Sequence, residues 1–284
     1  MKIVECPRDA MQGIKKFIPT KLKTKYINTL LRVGFDTIDF GSFVSKAAVP
    51  QMKDVEEILD NLYLSDTNTK LLAIVGNLRG TENLIKYNEI SYIGFPFSVS
   101  ETFLKLNLNS NTQKSIERLS TIFDKSINYD KKVLVYLSMG FGNPYDDEWN
   151  IDILLDHIDI LVDMGIEEIN IADTIGTADP DTIFDVFTRV NEEFPSVEFG
   201  FHLHTVENQW YSKIESAYDA GVRKFDSAIG GYGGCPMTGY EMVSNIRTRN
   251  IIDFCFDKDI NIDIDKDWLD KSVKISDKIF NTYK

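Results

Sequence analysis

Short apolar, β-branched runs separated by longer stretches of helical period recur eight times in this chain of 284 residues, and that alternation constrains the fold more than any other feature. The runs are Ile3–Glu5, Thr37–Phe40, Lys70–Val75, Tyr92–Phe97, Lys132–Ser138, Glu168–Ala172, Glu198–His204 and Lys224–Ile229. Helical periodicity fills the intervals at Thr20–Val33, Gln51–Leu62, Asn111–Ile127, Ile151–Met164, Asp179–Glu193, Asn208–Ala220 and Tyr240–Phe256. Asp179-Pro180 has the residue types of a helix start, and Gly34, Gly165 and Gly221 stand where helices should stop. Eight such units argue for parallel strands closed into a barrel, an arrangement that takes roughly 250 residues. A doubly wound open sheet would carry a Gly-rich dinucleotide turn after the first strand, and this sequence has none there. With no linker or shift in composition, the expectation is one α/β domain over 1–284. It is a (β/α)8 TIM barrel with an additional peripheral C-terminal helix at 266–283, which carries Trp268, Leu269, Val273, Ile275 and Ile279.

Charge and cysteine content narrow the function classes. The formal net charge is −13 and no long basic block occurs, which argues against a nucleic-acid or anionic-membrane partner. No run approaches the roughly 18 apolar residues of a membrane span. The first residues read as a strand, leaving no room for a targeting segment. Three scattered cysteines, Cys6, Cys235 and Cys255, do not make a disulfide framework. The expected location is the cytosol.

Polar residues collect where barrel chemistry sits, at the C-terminal ends of the strands. Strand one ends in Cys6-Pro7-Arg8-Asp9, strand two in Asp39-Phe40-Gly41-Ser42, and Asn77 follows strand three. Tyr136 and Ser138 lie on strand five, and Asp173-Thr174 ends strand six. Strand seven ends in His202-Leu203-His204, two of only three histidines in the chain. Residues two apart on a strand share a face, about 6.5–7 Å apart, so these imidazoles converge on one point. They read either as a divalent-metal site or as a hydrogen-bonded pair. After strand eight comes Gly230-Gly231-Tyr232-Gly233-Gly234-Cys235-Pro236, whose glycines suit a mobile loop. A cysteine at such a tip is an odd choice for a purely structural role. Cys6 and Cys255 read as core positions.

These segments together resemble the 3-hydroxy-3-methylglutaryl-CoA lyase family, within the wider group of metal-dependent barrel lyases and Claisen-type synthases. The resemblance rests on Val4-Glu5-Cys6-Pro7-Arg8-Asp9-Ala10-Met11-Gln12, Gly41-Ser42-Phe43-Val44-Ser45 with Pro50-Gln51-Met52, and Ala172-Asp173-Thr174-Ile175-Gly176. His202-Leu203-His204 and Gly233-Gly234-Cys235-Pro236 complete it, in order along nearly the whole chain. It implies metal binding by Asp9, His202, His204 and Asn245. It also implies enolate stabilisation by Arg8, proton transfer by Cys235, and active-site carboxylates at Asp39 and Asp173. Gln12, Ser42, Asn77 and Tyr136 are implied substrate or neighbouring contacts. The sequence departs from the family at Asp39, where many members have glutamate, at Gly13, at Thr205, and at Ser244 before Asn245.

What the resemblance implies is retro-Claisen cleavage of 3-hydroxy-3-methylglutaryl-CoA to acetyl-CoA and acetoacetate. The cofactor would be Mg²⁺ or Mn²⁺, with Zn²⁺ also compatible with imidazole ligands. The base that takes the substrate's hydroxyl proton is open among His202, Asp39 and Asp173. The partner is an acyl-CoA, and the assembly a homodimer. Two other readings stand beside this one: a related lyase or aldolase acting on another hydroxyacyl-CoA or hydroxy-keto acid, and a non-catalytic metal-binding barrel.

Overall fold

A computed structural model describes residues 1–206, 208–234 and 243–284. Its eight strands are β1 (Lys2–Glu5), β2 (Thr37–Ser42), β3 (Lys70–Ile74), β4 (Ile90–Ser98), β5 (Lys132–Ser138), β6 (Glu168–Asp173), β7 (Glu198–Leu203) and β8 (Lys224–Ser227). Each pairs in parallel with its chain neighbours, and β1 pairs with β8, so the sheet closes on itself as the alternation predicts. Strands covered inside and outside have no face for water. Accordingly β2 and β6 are buried at every position, Asp39 and Asp173 included.

The outer ring holds α2 (Thr20–Leu30), α3 (Val55–Leu59), α6 (Thr112–Ile127), α7 (Ile151–Asp163), α8 (Pro180–Glu193), α9 (Trp210–Asp219) and α10 (Thr248–Asp257). The Asp179 side chain caps α8 by accepting from Thr182 N, and Gly34, Gly165 and Gly221 take φ values of +97°, +98° and +102° at helix ends. Three short helices escape the sequence periodicity: α1 (Pro7–Gln12), α4 (Leu78–Leu84) and α5 (Glu101–Leu108). At six to eight residues they span about two turns, too few to display a repeating apolar face. The helix expected over Tyr240–Phe256 begins only at Thr248. Residues 243–247 are extended instead, because strand ends take up their backbone groups. Ile246 N donates to Leu203 O and Ala228 N donates to Ile246 O, while residues 235–242 lie outside the described residues.

Packing differs between the two ends of the barrel. At the N-terminal end the interior is closed by a buried ion pair, Lys224 Nζ to Glu168 Oε2 at 2.7 Å, with Tyr92 donating to Glu168 Oε1 at 3.1 Å. Toward the other end, the Glu5 carboxylate stitches the β1–β8 seam, accepting from Ile229 N at 2.8 Å and Thr248 Oγ1 at 2.6 Å. Outside the sheet, Phe141, Phe187 and Phe201 pack as an aromatic trio with ring centroids 5.2–5.8 Å apart. The terminal helix α11 (Lys266–Tyr283) lies against α2 and the turn Ile229–Gly231. Its Phe280 stacks on Tyr232 with centroids 3.7 Å apart. Among the described residues, no helix is long and apolar enough to cross a membrane.

Candidate active site

The C-terminal ends of the strands surround a cleft of about 490 Å³. Arg8, Asp9, Gln12, Ser42, Asn77, Tyr136, His202 and His204 all line it. Proline at the first position of α1 starts a helix directly after β1, which turns Arg8, Asp9 and Gln12 over the barrel mouth. Arg8 is gripped from behind: its Nε lies 3.0 Å and its Nη2 2.5 Å from Asp39 Oδ2. Its Nη1 reaches Gln12 Oε1 at 2.9 Å and Asp9 Oδ1 at 3.3 Å, and Gln12 Nε2 donates to Asp9 Oδ1 at 2.6 Å. Asp39 itself does not line the cleft. Burial pushes its carboxyl up to about 6 even though Arg8 pulls the other way. For Asp9, burial is outweighed by Arg8 and the two imidazoles, which hold its carboxyl below the ordinary value.

The two histidines present their Nε2 atoms to each other at 3.2 Å. Behind His202, Nδ1 meets Asp226 Oδ2 at 2.8 Å, and behind His204, Nδ1 meets Thr174 O at 2.8 Å. A carboxylate and a carbonyl only accept, so both Nδ1 atoms carry the proton. Both Nε2 lone pairs then face one another inside a buried site, an arrangement that needs a proton or a cation between them. One oxygen of Asp9 and a nitrogen of each ring lie within 4.8 Å of one another. Burial and the neighbouring His202 push the His204 imidazolium down to about 4. Burial would also lower His202, but the hydrogen bond and charge of Asp226 outweigh it and raise its pKa. One hard oxygen and two neutral imidazoles suit a divalent ion. A second cluster, Cys6, His202 and Asp226, is less suited. Asp226 is already spent on His202 and on Asn170 Nδ2 at 2.8 Å, and burial raises the Cys6 thiol well above its usual pKa.

Asn245 joins the cluster through the backbone. It bridges to His204, and its Nδ2 donates to Asp9 Oδ2 at 2.5 Å and Tyr232 O at 2.9 Å. Gly233 must be a glycine for this approach: at φ +94°, a Cβ would come within 2.6 Å of Asn245 Nδ2 and 2.9 Å of Ala10 Cα. The Tyr136 hydroxyl, by contrast, is buried without a hydrogen-bond partner among the described residues, with its ring edge-on to His202 at 5.7 Å. Ser42 and Asn77 line the cleft but spend polar atoms on local structure. Ser42 Oγ donates to Ile74 O at 3.2 Å, and Asn77 caps α4 by accepting from Gly80 N at 3.0 Å. Asp173 is not among the lining residues. Its carboxylate accepts from Thr177 N and Ala178 N and pairs with Lys213. Cys235 lies outside the described residues.

Sequence reading missed Asp226 and the Thr174 carbonyl as partners of the histidines. Only Asp226 left a signal, as a carboxylate inside an apolar strand; its register opposite His202 shows why it matters.

A closed barrel with this cluster at its mouth defines a barrel protein with a candidate metal-binding active site. A family model described as HMGL-like matches residues 2–263. The cytoplasmic 3-hydroxy-3-methylglutaryl-CoA lyase of Rattus norvegicus is 30% identical over 255 residues, covering 89% of this chain and 73% of that protein. The HMG-CoA lyase structure from Brucella melitensis superposes with a TM-score of 0.90 at 29% identity, covering 98% of each chain. The HMG-CoA lyase from Acinetobacter baumannii, solved with coenzyme A and 3-methylmalate, gives a TM-score of 0.91 at 25% identity over 99% of this chain and 91% of that one. The chain belongs to the HMGL-like family.

Proposed function

We propose that the protein cleaves 3-hydroxy-3-methylglutaryl-CoA to acetyl-CoA and acetoacetate with a divalent cation, Mg²⁺ or Mn²⁺. The observation that carries this reading is the facing Nε2 pair beside Asp9, set next to a half-buried arginine in an open cleft. Asp9, His202 and His204, with the Asn245 carboxamide beside them, would hold the cation. When bound, the ion would polarise the substrate's tertiary hydroxyl and lower its pKa.

The chain's own residues account for the rest. Cleavage of the carbon–carbon bond leaves negative charge on the thioester oxygen of the departing acetyl unit. Arg8 meets that charge with a guanidinium that Asp39 already holds in place, so little reorganisation is needed as the charge develops. Of the three groups open as proton acceptor, His202 lines the cleft and Asp39 and Asp173 do not. Asp226 behind His202 Nδ1 would keep that ring's proton in place and leave the Nε2 lone pair for the cation. Protonation of the enolate carbon is assigned to Cys235 on the family resemblance. Replacing Cys235 with serine should lower turnover far more than stability.

An acyl-CoA substrate is supported by the coenzyme A bound to the Acinetobacter relative. The buried free thiols of Cys6 and Cys255 support a cytosolic setting. The homodimer rests on the family resemblance, and sedimentation would measure it.

The deciding experiment incubates purified protein with Mg²⁺ or Mn²⁺, a thiol reductant and 3-hydroxy-3-methylglutaryl-CoA, and measures acetoacetate. Release that stops with EDTA is expected. No release sinks the assignment, and release only from another acyl-CoA in a panel moves it to the related-lyase reading.

A further inference from the structure

The turn after β6 supports the cluster from behind His204. His204 Nδ1 donates to Thr174 O at 2.8 Å, so the direction of that carbonyl decides which ring nitrogen is left free. The turn is fastened at several points. Met139 N donates to Thr174 Oγ1 at 2.8 Å, and Thr177 N and Ala178 N donate to the Asp173 carboxylate at 3.0 and 3.2 Å. The remaining fastening comes from α9. Lys213 Nζ donates to Gly176 O at 2.8 Å and lies 3.3 Å from Asp173 Oδ2. The turn also rests on His204 itself. A Cβ at Gly176 would come within 3.0 Å of the His204 carbonyl oxygen, and His204 N donates to Asp173 O at 3.3 Å.

Lys213 is only 3% exposed, an expensive place for an ammonium group on an outer helix. Its partners are the carboxylate and a carbonyl of this one turn. We infer that Lys213 is a positioning residue, which holds the turn 173–178 against β7 and so keeps His204 in the tautomer that leaves Nε2 free for the cation. The cation part of this inference rests on the proposed function; the tautomer part does not. A lysine that merely glued α9 to the barrel would affect stability and leave the ring unchanged.

The test uses the full chain, with Lys213→Met, in two measurements. Histidine ¹⁵N NMR without metal has only three rings to resolve. It should show His204 as a single Nδ1–H tautomer in the unaltered protein and as a mixture in Lys213→Met. Mn²⁺ titration followed by electron paramagnetic resonance should show roughly tenfold weaker binding, the low end of what supporting residues of metal ligands contribute. A folded Lys213→Met with one tautomer and Mn²⁺ affinity within about twofold of the unaltered protein overturns the inference. If that variant does not fold, the double variant Lys213→Met with Asp173→Asn decides on the same readings, since it leaves no buried charge unpaired. A larger tautomer mixture in it than in Asp173→Asn alone supports the role of Lys213, and equal tautomer populations in the two end it. If the unaltered protein fails to bind Mn²⁺, the proposed function falls, and the tautomer measurement still judges Lys213.

Discussion

Arg8, just after β1, and Asp226, on the adjacent β8, do similar work, each fixing a charge or a ring in place through a buried contact. Lysine cannot reproduce the two-point contact that Arg8 makes with Asp39, and it would leave that buried carboxylate poorly paired. Arg8→Lys should therefore lower kcat about 10²–10³-fold, as removal of one oxyanion donor does, while calorimetry shows a melting temperature shifted by only a few degrees. A large stability loss with an equal loss of activity would make Arg8 a packing residue. Asp226→Asn removes the charge behind His202 and should weaken Mn²⁺ binding about 10–100-fold in a direct titration. Unchanged affinity would separate Asp226 from the metal. The sequence made Arg8, Asp9, His202 and His204 legible because each pair sits on one short element with its own motif. It hid Asp226 and Lys213 as supports, since their partners are set by strand register across the barrel and by the docking of an outer helix.

At the scale of elements, all eight strands fall within two residues of their predicted limits, because closure buries both faces and demands continuous apolar runs. Helix boundaries were less legible where tertiary pairing overrides local preference, as at residues 243–247. The seam between β1 and β8 carries a pH dependence of its own. Burial pushes the Glu5 carboxyl from an ordinary 4.5 up to about 8, against the pull of its bonds from Thr248 and Ile229. The folded barrel thus retains a proton that the unfolded chain releases. Its stabilising contribution is complete below pH 4.5 and is lost as pH rises through about 8. Urea midpoints measured from pH 5 to 9 should fall with rising pH, and Glu5→Gln should flatten that slope. Parallel curves for the two proteins would show that Glu5 carries none of it.

The whole molecule separates chemistry at the strands' C-terminal ends from support at the other end. Lys224→Met would strand Glu168 in the barrel floor, and breaking a buried pair in this way costs about 3–5 kcal/mol. Urea denaturation should show that loss, with kcat per folded molecule unchanged; a fall in kcat would mean that the two ends are coupled. The hydrogen bond between Asn245 and Asp9 joins residues 236 positions apart. At about 5–20 residues per second, a ribosome takes roughly ten to fifty seconds to make the chain between them. For most of that interval the nascent chain holds an aspartate before the histidines are made, and a first strand before the eighth. On the proposed function, cation capture would be a closing event of biosynthesis. Ribosome-stalled chains that expose residues only up to about 200 should bind Mn²⁺ no better than an unfolded control, and full-length released protein should gain the affinity in one step.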